Sequence, residues 1–418
     1  MRIHTIFGLA ALGLPAMAFA TPALKAEAGL EATGYFQSGS QGQTSSAASL
    51  RLLGEARWDW NGRNDSFTLK PFARVDSQDS ERSHADLREA FWLHVLNNWQ
   101  TQAGIGQVFW GVTEGAHVVD IINQTDTLEN PEGDARLGQP MLNVSWEQDE
   151  HLLDVFVLPG FRERPFAGMD GRLRLPWQVK ADAASYESGA GRNHIDVAAR
   201  YQFSANGLRA GISAFKGTSR EPELLPVVDL TQVGPGFFAP GYLPELHPYY
   251  PQITQFGLDM QLTRGDWLWK LEAVDRHGFG PDRFQSADAG LEYTQVGVLG
   301  SRYDLGWLAE GLYDSRAEQA TQPFEHDLLL GWRLAVNDEA SSEVLLAVVR
   351  DLEHPETYVR LKGSTRINDR LKLALEARVL STRAPQTPFE VLAAPDYDYK
   401  LRSFGDDSHV RAELTWFY

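Results

Sequence analysis

The chain has 418 residues, a formal net charge of −18 and a mean hydropathy of −0.32, with 22% charged and 11% aromatic residues. The acidic balance, with no basic stripe to meet phosphates, argues against a nucleic-acid partner. With no cysteine there is neither a disulfide framework nor a thiolate-bound metal. Beyond the N-terminus no segment approaches the eighteen apolar residues that a membrane-spanning helix needs, so any span must be made of strands.

The first residues, MRIHTIFGLAALGLPAMAFA, place Arg2 ahead of an apolar run from Ile6 to Met17 and end on the small-x-small triplet Ala18-Phe19-Ala20. This pattern predicts a secretory signal peptide over residues 1–20. Residues 21–418 carry no composition shift, charge run or low-complexity block, and they read as a single β domain.

Along that domain, period-two alternation recurs in segments of roughly ten residues. Eight connections are short and rich in Asn, Asp or Gly, as tight hairpin turns require: 61–64, 97–98, 148–150, 205–207, 264–266, 304–306, 337–339 and 368–369. Nine others lie between them, at about 37–47, 77–84, 110–140, 159–192, 218–251, 277–287, 316–322, 354–356 and 382–407. Seventeen connections join eighteen strands, with both termini on the tight-turn side. The pattern predicts an all-β fold, a transmembrane antiparallel β-barrel with short periplasmic turns and long extracellular loops. The strand count falls to sixteen if two weaker placements fail. One is the segment around 288–303, where the alternation slips; the other is 342–350, apolar on both faces.

The two faces differ in kind. In ASLRLLGEARWDW, Leu50, Leu52, Ala56, Trp58 and Trp60 alternate with Arg51, Glu55, Arg57 and Asp59. The apolar set is expected to face lipid and the charged set a wet lumen. Trp58, Trp60, Tyr201, Phe203, Trp267, Trp269, Trp307 and Trp416 fall near tight turns or the C-terminus, as an aromatic girdle at the periplasmic interface requires. The last residues, VRAELTWFY, place Val410, Ala412, Leu414, Trp416 and Tyr418 on the outer face of the closing strand. Alternating apolar residues with a terminal aromatic look like the signal by which barrel-assembly machinery recognises its clients, carried here by Leu414, Trp416 and Tyr418.

The stretch GIGQVFWGVTEGAHVVDIINQTDTLENPEGDARLGQPMLNVSW, residues 104–146, contains Gly106-Gln107, Trp110-Gly111, Glu114-Gly115, Asp120-Ile121, Asn123 and Pro140-Met141-Leu142. It resembles a block of a family of proteobacterial outer-membrane barrels of unknown function, porin-like and distantly similar to alginate-export porins. The resemblance covers roughly 85–175 and implies a porin-type barrel in the outer membrane of a Gram-negative bacterium, without naming a substrate. Where such relatives often read Trp-Gly-Glu, this chain has Trp110-Gly111-Val112.

Loop 110–140 is the third long connection, the one that general porins fold inward. Its residues Glu114, Asp120, Asp126, Glu129, Glu132 and Asp134, opposed only by Arg136, are expected to line a constriction. A basic lumen wall is expected from Arg51, Arg57, Arg360, Lys362, Arg366, Lys372, Arg378 and Arg411, on strands that become contiguous when the barrel closes. Together they imply a channel for passive passage of small polar or charged solutes. The competing readings are a barrel hydrolase and an adhesive or scaffolding barrel with a closed lumen. No Gly-x-Ser-x-Gly or His-x-x-x-His occurs, so the chain is read as a non-enzyme without metal or cofactor. The expected partners are membrane lipid, lipopolysaccharide, the assembly machinery and the solute, with the barrel a monomer or homotrimer. The Pro-rich loop 218–251 reads as self-packing.

Overall fold

The computed structural model describes residues 21–418 apart from 131, 132, 134, 281 and 282. The predicted signal peptide and two of the acidic loop positions, Glu132 and Asp134, lie outside the described residues. Eighteen strands form one closed antiparallel sheet. In chain order they are β1 (Ala23–Tyr35), β2 (Ser46–Trp60), β3 (Asp65–Asp76), β4 (Ala85–Leu96), β5 (Trp99–Gly106), β6 (Gln139–Gln148), β7 (His151–Pro159), β8 (Ile195–Ala205) and β9 (Leu208–Thr218). The second half comprises β10 (Gln252–Arg264), β11 (Trp267–His277), β12 (Arg283–Gln295), β13 (Asp304–Asp314), β14 (His326–Ala335), β15 (Glu343–Asp351), β16 (Thr357–Asn368), β17 (Leu371–Ser381) and β18 (His409–Phe417). Each strand pairs with its sequence neighbours, and β1 also pairs with β18, Leu30 opposite Leu414 and Ala28 opposite Trp416. Closure removes the unpaired edges that an open sheet of this size would expose.

The alternation sorts side chains as expected. Leu24, Leu30, Leu50, Leu52, Trp267, Trp307, Leu414 and Trp416 stand exposed on the outer face, while Glu31, Arg74, Asp259, Glu272 and Glu310 are buried in the interior. The tight turns gather at one end. At Asn206-Gly207, φ is 53° and 81°, and a Cβ on Gly207 would lie 2.5 Å from the Thr263 carbonyl oxygen, so only glycine fits.

Two predicted boundaries are corrected. The turn placed at 304–306 lies at 296–303, with β13 starting at Asp304, and the loop placed at 277–287 contracts because β12 already begins at Arg283. At this rim the usual polarity is reversed. Phe284 points inward under the Arg316 guanidinium, 3.9 Å from its ring centroid, while Arg283 and Gln285 stand exposed outside. Counting hydrophobic positions there gives the wrong phase. The doubly apolar segment is a true strand, β15. Its inward Ala347 and Val349 join Leu308, Leu312, Leu329, Tyr358 and Leu401 in an apolar cluster inside the barrel, beneath inserted loops.

Candidate functional site: a cleft beside an inward-folded loop

Between β5 and β6 the chain runs through the barrel interior. Its departure is set at Gly104, where φ is 134° and a Cβ would sit 2.2 Å from the Ala90 carbonyl oxygen. Strand β5 stands about half-way round the ring from β13 and β14, and the loop reaches that far wall. Val112 and Thr113 donate backbone N–H groups to Glu272 Oε1 at 2.6 and 3.0 Å, the Thr113 hydroxyl adds 2.8 Å, and Val119 N–H donates to Oε2 at 3.2 Å. Glu114 and Gly115 N–H donate to Glu310 Oε2, both at 2.8 Å, and Ala116 N–H donates to Asp288 Oδ2 at 2.9 Å.

These three carboxylates sit side by side on β11, β12 and β13. Glu272 is the cross-strand partner of Asp288, and Glu310 stands opposite Gly290, where a Cβ would come within 2.3 Å of the Glu310 Cγ. All three are essentially inaccessible to solvent. Isolated carboxylates would be costly there, and the converging amide dipoles offset that cost. Lys270, 3.5 Å from Glu310, supplies a countercharge. At the near wall Asn123 ties the loop to Gly106 and Leu137 carbonyls at 2.9 and 2.8 Å. Trp110, Val119, Ile121 and Ile122 pack with Met141, Phe156, Phe215 and Ile253, so one side of the interior is an apolar core.

Of the predicted constriction residues, three are committed to ion pairs. Asp120 pairs with Arg136 at 2.8 Å, Asp126 with Arg88 at 2.5 Å and Glu129 with Arg74 at 2.7 Å. Glu114 pairs with Arg333 at 2.7 Å but remains partly accessible and borders a cavity of about 170 Å³ between the loop and β14–β16. The cavity brings Glu114 together with Arg360 and Lys362 from the basic wall, and with Glu343 and His117. The rest of the wall divides in two. Arg360 and Arg378 converge on Glu376 at 3.4 and 2.7 Å, and Arg411 joins them while also facing Glu31. Arg51 pairs with Glu413 at 2.8 Å and Glu27 at 3.4 Å, and Arg57 with Asp59 at 3.0 Å. Nearer the tight-turn end, Arg366 lies over the Phe417 ring and opposite Lys372 on β17.

Sequence reading missed Arg333, Glu343, His117 and the Glu272–Asp288–Glu310 cradle. A usable signal existed for the cradle: three acids at inward positions of consecutive strands, with Lys270 the nearby cation.

The long-loop end is crossed as well. Residues 160–177 leave β7 and contact the connections of β1–β2, β3–β4 and β17–β18. Arg172, 6% exposed, donates to Asp407 Oδ1 at 2.6 Å and to the carbonyls of Gln37, Thr44 and Asp406 at 3.1, 2.9 and 2.5 Å. Its guanidinium also lies 4.0 Å over Tyr35. Burial pushes the Asp407 carboxyl above the usual range, and Arg172 pulls it back. Loop 218–251 contains a hairpin, Glu223–Val227 with Glu245–Tyr250, that does not pack on itself alone. Its Phe238 meets Phe389 of the β17–β18 connection, with ring centroids 5.4 Å apart, half-way round the ring from its own strands.

Among the described residues, no three His, Asp or Glu side chains are arranged to hold a metal ion, and no helix is long and apolar enough to cross a membrane. No family model matches the chain, and no curated protein matches it. The family resemblance read over roughly 85–175 therefore finds no support in either comparison. Solved structures do match in fold. The carbohydrate-binding β-barrel Wzi, an outer-membrane protein involved in group 1 capsule assembly in Escherichia coli, aligns with a TM-score of 0.53 at 11% identity, over 94% of this chain and 84% of that one. A Rhodopseudomonas blastica porin variant aligns over 95% and 100% at 11% identity, with a TM-score of 0.45. Pseudomonas putida OprB aligns over 95% and 94%, also at 11% and 0.45. The fold is a closed eighteen-stranded antiparallel β-barrel, similar to that of the carbohydrate-binding barrel.

Proposed function

We propose that the protein is an outer-membrane channel for small polar or charged solutes, narrowed between the inward loop and the β14–β16 wall. The observation that carries this reading is the cleft itself. A loop fixed across the whole interior leaves a polar opening bounded by Glu114 on one side and Arg360 and Lys362 on the other. Opposed charges in a narrow, low-dielectric passage create a transverse field that favours polar over apolar solutes. The exposed outer belt of Leu, Val and Trp supports placement in a bilayer.

Reconstitution of the full mature chain into a planar bilayer in KCl is expected to give stepwise currents. Silence at every voltage would replace the channel with a second reading, a closed ligand-binding or scaffolding barrel. The loops that cross the long-loop end favour that alternative, and the similar fold of a carbohydrate-binding barrel is compatible with it. Membrane placement has its own test. Leu414→Arg on the outer face, one outward position from Trp416 of the girdle, is expected to cost between the about 0–1 kcal/mol of the interface and the about 2–4 kcal/mol of the midplane. It should reduce the folded, heat-modifiable band on gels, and an unchanged folded yield would count against lipid contact at β18.

A further inference from the structure

We propose that the cleft is a binding site for small zwitterions, solutes of the free amino acid class that carry an ammonium and a carboxylate on one short skeleton. This rests on the reading of the cleft as the narrowest part of the channel and names what that part selects.

The charges in the cleft divide into committed and uncommitted ones. Arg333 and Glu114 neutralise each other at 2.7 Å, and Arg360 is drawn to Glu376. Two charges remain. Among the described residues Lys362 has no hydrogen-bond or ion-pair partner, and Glu343 accepts only the Ser364 hydroxyl, at 3.1 Å. Both are exposed to the cleft. Their relative placement follows from the β15–β16 register: Glu343 stands opposite Ser364, and Lys362 opposite Leu345. They are thus diagonal neighbours on one face, a position that separates backbone sites by about 7–8 Å, and no ion pair joins them. An ammonium resting on Glu343 and a carboxylate resting on Lys362 complete both charges at once, with the Ser364 hydroxyl between.

Size and lining exclude the main competitors. About 170 Å³ is small beside the roughly 300–1,000 Å³ that holds drug-sized ligands. Among the described residues the only ring in the lining is that of His117, so they offer no aromatic platform for a sugar face. Three cations and two carboxylates border the space, so a multiply charged anion meets Glu114 and Glu343 as well as the bases.

The test adds glycine, glucose or acetate at equal concentration to the full-length channel in KCl. Glycine is expected to reduce the current at least tenfold more effectively than glucose and more effectively than acetate. Lys362→Gln and Glu343→Gln should each weaken glycine block by tenfold or more, and the double exchange Lys362→Glu with Glu343→Lys should restore it. Block by glycine no stronger than by glucose, or unchanged in both single variants, overturns the proposal while the KCl current leaves the channel intact. If the wild type passes no KCl current, the channel reading fails by itself. Titration of glycine into the detergent-solubilised protein then decides the site: saturable heat lost in Lys362→Gln supports it, and no heat ends it.

Discussion

Glu272→Ala is expected to raise single-channel conductance several-fold and to expose the 112–119 segment to protease. The side chain holds three backbone N–H groups and one hydroxyl of the inward loop, all in a site sealed from solvent. Leaving a buried donor without an acceptor costs about 1–3 kcal/mol. Water entering from the vestibule relieves part of this, and removal of a buried carboxylate returns part of its desolvation cost. A net loss near 3 kcal/mol still shifts the docked-to-released ratio roughly a hundredfold. Released at this point, the 112–119 segment is left on the Glu310 and Asp288 bonds to Glu114–Ala116 and the Arg333–Glu114 pair, so it opens more often and the passage widens toward Lys270 while it is open. Glu272→Gln keeps one acceptor oxygen and should show a smaller change in the same direction. Conductance and protease resistance equal to wild type in Glu272→Ala would mean that Glu310, Asp288 and Arg333, with the apolar contacts of Val119, Ile121 and Ile122, hold the loop without Glu272.

What the sequence made legible follows from period. A barrel strand has one lipid face and one wet face, so Leu50, Leu52 and Trp58 against Arg51 and Arg57 fixed both strand and orientation. Short turns were equally readable, because the positions of Asn97, Asn206 and Gly207 need residues that tolerate positive φ. The turn at 296–303 was misplaced although Gly297 and Gly300 take φ of 64° and 73°, because the neighbouring Asp304-Leu305-Gly306 offers a competing turn-like triplet and Leu299, at 54°, carries no such signature. The site was less legible for a different reason. An inward position says that a charge faces the interior, not which charge answers it. Arg378 and Arg411 were grouped with Lys362 as one wall, yet Glu376 draws the first two into a closed cluster and leaves Lys362 to the cleft. The acids of the loop were likewise read as one set, although Asp126 and Glu129 meet arginines of β4 and β3 and, among the described residues, only Glu114 reaches the far side. Apart from Arg378–Glu376, two residues apart on one strand, these pairings join residues tens to hundreds of positions apart, and local pattern holds no record of them.

The second large effect is expected from Arg172→Ala at the long-loop end. Arg172 is the point where residues 160–177 are fastened to the opposite rim: one side chain closes a pair with Asp407 and satisfies three carbonyls. Removing one partner of a buried, hydrogen-bonded pair costs about 3–5 kcal/mol, mainly because the other charge stays behind unpaired. The barrel itself does not depend on the contact, so the cost falls on the loop. Amide protection over residues 166–177 should collapse while the strands keep theirs, and channel current should rise where the covered mouth limits it. The pH dependence identifies the cause. Burial already raises the Asp407 carboxyl, and loss of Arg172 raises it further. The folded loop then binds a proton more tightly than the freed one, so the penalty of the substitution is full above the raised value. It diminishes as pH falls toward the ordinary carboxylate range. Arg172→Lys, which keeps the charge but not the fork of donors, should fall between. A loop equally protected in wild type and Arg172→Ala at pH 8 would show that Gly168, held by Asp79, and Trp177, donating to the Pro388 carbonyl, fasten it without the arginine.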